Sequence, residues 1–105
     1  MDDELTEREK QIIGECLDAL VNGSFIPDWE FSILCGQKRD EVAQLASIYP
    51  NEEDSKDMKY AINNAMNNLT GYPHRKDEEL ARRVSVSRDE ISAIYAKWHR
   101  LKKFD

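Results

Sequence analysis

Thiol, imidazole and carboxylate side chains are where a short chain keeps nucleophilic, acid–base or metal chemistry, and here they are sparse. Cys16, Cys35, His74 and His99 are the only cysteines and histidines among 105 residues. A nucleophilic cysteine needs a base within hydrogen-bond reach, and no histidine lies near Cys16 in the chain. Zinc sites are assembled from closely spaced ligand pairs, whereas these four side chains would have to come from four separate elements. The sequence has no Gly-rich phosphate loop, no Cys-x-x-Cys and no His-Glu-x-x-His. The acidic runs Asp2-Asp3-Glu4 and Glu52-Glu53-Asp54 lack the alternating oxygen-ligand spacing of a calcium loop and read as solvating segments. The expectation is a protein that is not an enzyme, with no metal and no cofactor. Two cysteines cannot build a disulfide framework, so both read as small buried hydrophobes of a reduced, cytoplasmic chain.

What elements stand around these residues? Composition is 40% hydrophobic and 34% charged, with four Gly and three Pro, which excludes collagen-like and low-complexity chains. No apolar run approaches the ~20 residues of a membrane-crossing helix or forms a signal-peptide core. The apolar residues instead recur with helical spacing. Thr6 stands three residues before Glu9, a capping-box pattern, and Ile13, Leu17 and Leu20 then follow as one stripe with Ile12 and Cys16 beside it. Asn22-Gly23 ends that helix. Asp28 is placed to cap a short second helix over Trp29–Cys35, stopped by Gly36. A third runs from about Lys38 or Arg39 to Tyr49 with Val42, Leu45, Ala46 and Tyr49 inward, and Pro50 stops it.

The second half repeats this plan. Ser55 caps a helix whose inner face is Ile62, Ala65, Met66 and Leu69. Thr70-Gly71-Tyr72-Pro73 is a turn. Asp77 is placed to cap the short helix Glu78–Val84, with Leu80, Ala81 and Val84 inward. Ser87 with Glu90 forms a further capping box ahead of a last helix reaching about Lys102, with Ile91, Ile94, Tyr95 and Trp98 inward. No β-branched run alternates with period two. The chain is expected to be all-α.

A shift of 49 residues aligns Thr6–Tyr49 with Ser55–Trp98 without a gap, and eight of the 44 pairs are identical, against about three at typical residue frequencies. The identities include Asp28/Asp77, Arg39/Arg88, Asp40/Asp89 and Glu41/Glu90. Leu17/Met66, Phe31/Leu80, Val42/Ile91 and Tyr49/Trp98 stay apolar on both sides. The expected architecture is one domain over 1–105, a compact six-helix bundle of two tandem three-helix repeats (about 6–50 and 55–102) with a pseudo-twofold relation. A lone unit of 45 residues would sit near the lower limit for one core, and doubling it lets the two apolar faces cover each other.

Leu5-Thr6-Glu7-Arg8-Glu9-Lys10 with Ile12-Ile13 resembles the opening helix of response-regulator-type helix-turn-helix domains. Asp77–Ile91 resembles a helix-turn-helix core, with Ala81 at the packing alanine, Ser85 in place of the usual turn glycine, and Ile91 at the locking apolar position. In the first half the matching residues are Ser32, Gly36 and Val42. Gly71–His74 (Gly-Tyr-Pro-His) resembles a segment of small uncharacterised bacterial proteins, a likeness that implies no activity. The helix-turn-helix resemblance implies DNA binding, which would draw on Arg82, Arg83, Ser87, Arg88, Lys97 and Arg100. Against it, both matching helices open with Arg-Asp-Glu, setting carboxylates where phosphates would lie. These acids and the basic chain end also suit the helix dipole on a solvated face.

The formal charge is −6 and it is uneven: residues 1–50 carry four basic and eleven acidic side chains, a net −7. That disfavours nucleic acid and anionic membrane, and favours a protein partner of basic character. Phe25, Ile26 and Trp29 gather around Pro27. They read either as a plug sealing the end of the bundle or as an exposed aromatic patch rimmed by Asp18, Asp28 and Glu30, a protein-binding or homodimer surface. Tyr72 and His74 form a turn and a second candidate contact. Asn63, Asn64, Asn67 and Asn68 sit on what periodicity makes the outer faces of one helix, where asparagine costs propensity without adding packing; either a polar helix–helix or ligand contact or simple drift on a solvated face would account for them. The leading expectation is a non-enzymatic acidic binding or regulatory module. The alternative is a DNA-binding regulator using the second repeat.

Overall fold

The computed structural model describes residues 4–23, 25–49, 55–71 and 75–102. Six α-helices carry most of them: α1 (Glu7–Asn22), α2 (Asp28–Cys35), α3 (Arg39–Ile48), α4 (Lys56–Gly71), α5 (Asp77–Arg83) and α6 (Arg88–Lys102). Among the described residues there is no strand. No helix of the described residues is long and apolar enough to cross a membrane. The connector 51–54 lies outside the described residues.

Local chemistry starts these helices. Thr6 Oγ1 accepts from the Glu9 N–H at 3.1 Å, and the Glu9 carboxylate accepts from the Thr6 N–H at 2.8 Å, so two orphan donors are satisfied reciprocally. Ser55 Oγ accepts from Met58 N–H at 3.1 Å, and Ser87 Oγ from Glu90 N–H at 3.2 Å. The two short helices start differently. α2 and α5 include Asp28 and Asp77 as their first residues, without a side-chain cap. Each carboxylate instead meets a guanidinium eleven positions on, Asp28 with Arg39 at 2.9 Å and Asp77 with Arg88 at 2.8 Å. As the first helical residue instead of the cap, each aspartate makes its charge-assisted bond to an arginine and not to its own helix's backbone N–H groups.

The two long helices form the centre. α1 packs on α4, α3 and α5, while α4 packs on α1, α6 and α2, with α3 also touching α2 and α4. Ile12, Ile13, Cys16, Leu17 and Leu20 from α1 meet Met58, Ile62, Ala65, Met66 and Leu69 from α4, and Phe31, Val42, Leu80, Ile91 and Trp98 close the core. The radius of gyration is 12.8 Å, against ~13 Å for a compact chain of about this length.

One inward assignment and two outward ones change. Ala81 is exposed, and Val86, in the turn after α5, is buried in its stead. Asn64 and Asn68 are buried, not on an outer face. The Asn64 amide donates to the Cys35 carbonyl at 2.7 Å and to the Gln37 side chain at 3.2 Å. The Asn68 amide donates to the Asn64 carbonyl at 2.8 Å and approaches Cys35 Sγ at 3.7 Å. Polar groups in a core need partners of this kind, and among the described residues no buried side-chain nitrogen or oxygen lacks one. Glu15 of α1 accepts from Ser85 in the turn between α5 and α6, and Lys97 of α6 reaches Glu9 at 2.7 Å.

Candidate functional site

Helix α2 is the element whose composition and surroundings disagree. Trp29, Phe31, Ile33, Leu34 and Cys35 give an eight-residue helix more apolar side chains than one face can hold. Successive residues advance about 100° around the axis, so Phe31 and Cys35 share a face and Trp29 and Ile33 lie opposite. The inner pair is buried. The outer pair stands in solvent, Trp29 at 71% and Ile33 at 74% exposure, with Leu34 beside them at 43%. A helix with apolar side chains on two opposite faces normally has both covered.

This face is firmly held. Arg39 brackets the N-terminal end of α2. Its Nε donates to Asp28, its Nη1 to the Leu20 and Val21 carbonyls at 3.2 and 2.9 Å, and its Nη2 to the Ile26 carbonyl at 2.8 Å. The same guanidinium lies 4.4 Å over the Phe31 ring, a stacked cation–π arrangement suited to a planar fork. One side chain thus joins the end of α1, the loop and α2. At the other end, Gly36 takes the left-handed conformation (φ 67°) and its N–H donates to the Ser32 carbonyl at 2.9 Å, a turn that glycine makes without side-chain strain. Asn64 then binds the Cys35 carbonyl.

The patch expected from Phe25, Ile26 and Trp29 is divided. Phe25 and Ile26 are each 3% exposed. Phe25 packs against Gly23, where an added Cβ would lie 2.5 Å from its ring, so the two residues form the plug and are not accessible to a partner. Trp29 alone of the three faces solvent. Ile33 and Leu34, which complete the surface, were legible only as a surplus of apolar residues in a short helix. Tyr72 and His74 lie outside the described residues.

Most of the six residues tied to nucleic acid are engaged within the fold. Arg83 pairs with Glu79 at 2.9 Å, Arg88 with Asp77, and Lys97 with Glu9, while Ser87 caps α6. Arg82 and Arg100 are exposed, and so are Asp89 and Glu90 in the first turn of α6.

The thiols are buried. Burial pushes the Cys16 thiol up to about 12, with the nearby Glu15 charge adding to it. Burial pushes Cys35 up to about 11 against the opposing pull of Arg39. Neither thiol is therefore a thiolate nucleophile near neutral pH. Among the described residues no three His, Cys, Asp or Glu side chains gather where they could hold a metal ion. No protein-family model, curated protein or solved structure matches the chain.

Proposed function

We propose that this chain is a non-enzymatic, acidic helical module that binds or regulates another protein through the outer face of α2. The scaffold is a single domain of two tandem three-helix repeats with a pseudo-twofold relation. Several observations support the duplication. The helices start at 7 and 56, 28 and 77, and 39 and 88, each pair 49 residues apart. Thr6 and Ser55 cap matching helices, and Asp28–Arg39 matches Asp77–Arg88. Glu15 and Asn64 occupy matching positions in the two halves; Glu15 reaches Ser85 in the turn after α5, and Asn64 reaches the last carbonyl of α2 and Gln37 in the turn after it.

One observation carries the functional reading: Trp29 and Ile33 stand exposed on a helix that is fixed at both ends. The residues 49 positions on, Glu78 and Arg82, are the charged pair of an ordinary solvated helix. One short helix keeps a structural surface while its counterpart carries apolar area, as a hot spot requires. The buried, free thiols fit a reduced compartment such as the cytoplasm.

The test compares the natural chain with the double variant Trp29→Ser/Ile33→Ser as baits in a lysate of the native cell. The variant should keep the helical circular dichroism and unfold within about 0.5 kcal/mol of the parent, since neither side chain packs in the core. A protein held by the parent and released by the variant supports the reading; identical retention on both overturns it. Titrating duplex DNA at low salt examines the alternative drawn from residues 77–91, for which saturable binding lost on Arg82→Ala/Arg100→Ala is the required result.

A further inference from the structure

We infer that the occupant of the α2 face is a cationic amphipathic helix of a partner protein, an inference that rests on the binding reading above. Acid stands near the face at two places. Around the α2 axis Glu30 lies next to Ile33, while Asp28, at the N-terminal end of the helix, lies past Ser32 toward the Phe31–Cys35 side. The Asp28 side chain is 92% exposed even while it meets Arg39. Arg39 itself is turned inward, its guanidinium spent on three backbone carbonyls and the Phe31 ring. The half of the chain that holds this face carries a net −7 over residues 1–50.

An apolar pair one helical turn apart, with carboxylates near it, matches a helix whose own apolar stripe is flanked by Lys or Arg. A second copy of this chain matches it poorly. A twofold contact sets the same patch against itself, so Asp28 and Glu30 of one molecule would confront those of the other across an apolar seam. Like charges so placed oppose association.

The probes are two synthetic amphipathic peptides with leucine at helical spacing, one with lysine and one with glutamate at the remaining positions. Trp98 is already buried, so a blue shift on binding reports Trp29, and Trp29→Phe should abolish it. The lysine peptide should give a saturable shift and bind at least about tenfold more tightly than the glutamate peptide, with the gap closing at high salt. Asp28→Asn/Glu30→Gln should weaken the lysine peptide by about threefold to tenfold. Equal binding of both peptides, binding of neither, or a concentration-dependent dimer in sedimentation that shields Trp29 each overturns the inference. If neither peptide binds while the Trp29→Ser/Ile33→Ser variant still releases a lysate protein, the binding face stands and the cationic helix falls.

Discussion

Glu15 holds Ser85 from seventy positions away, its Oε1 accepting from the serine hydroxyl at 2.6 Å and from the serine N–H at 2.8 Å. Partial burial pulls this carboxyl upward, but the two bonds from Ser85, joined by the Gln11 amide and the Arg8 charge, hold the group below its ordinary 4.5. Glu9 is also lowered, by the bond from Lys97 first and the Thr6 N–H second. A carboxylate whose folded value is depressed contributes stability above its unfolded value and loses it as pH falls through the folded one. Glu15→Gln should therefore unfold more readily than the parent at neutral pH, by about 1–2 kcal/mol. That difference should shrink steadily as the solution is taken below the ordinary carboxylate range. Urea midpoints along an acid series check it; a gap that widens on acidification contradicts the assignment.

Asn64 bonds the last carbonyl of α2 from inside the core. Asn64→Ala leaves that acceptor unpaired and should cost about 1–3 kcal/mol. Asn64→Asp should be worse at neutral pH, because it turns an acceptor and a charge toward the Cys35 carbonyl and the Gln37 side-chain oxygen. Chemical denaturation of the three chains ranks them.

Arg39 serves three carbonyls, a carboxylate and an aromatic ring. Lysine has the charge but not the fork. Arg39→Lys should recover only part of the stability lost in Arg39→Ala, which is expected to reach about 2–4 kcal/mol. Near-complete recovery by lysine would mean that charge alone matters at this position.

The thiols give a test of the packing. With Cys16 at about 12 and Cys35 at about 11, a disulfide exchange reagent at mildly alkaline pH should modify neither in the folded protein and both in denaturant. Fast labelling of the native chain would show that α1 or α2 opens locally.

Much of the architecture can be read from the sequence because helix starts are local events. Thr6, Ser55 and Ser87 announce theirs within four residues, and the stripes on α1 and α4 follow from periodicity. Asn64 and Asn68 could not be read this way. Asn64 finds its partners at Cys35 and Gln37, far away in the chain, and Asn68 bonds the Asn64 carbonyl beside Cys35 Sγ, so pattern alone does not separate a polar helix–helix contact from a solvated face. Asp28 and Asp77 mislead for the same reason, each answering an arginine eleven positions on in place of its own helix. Of the surface, Trp29 was legible. Phe25 and Ile26 were ambiguous until Gly23 was seen to admit the ring, and Ile33 announced itself only by surplus.

The double anchoring of α2 has a kinetic corollary. A surface tied at both ends loses little freedom when something settles on it, so an encounter needs no prior rearrangement of this molecule. Association should then proceed at the pace that diffusion and orientation permit, and changes at Trp29 or Ile33 should be felt almost wholly in how long the partner stays.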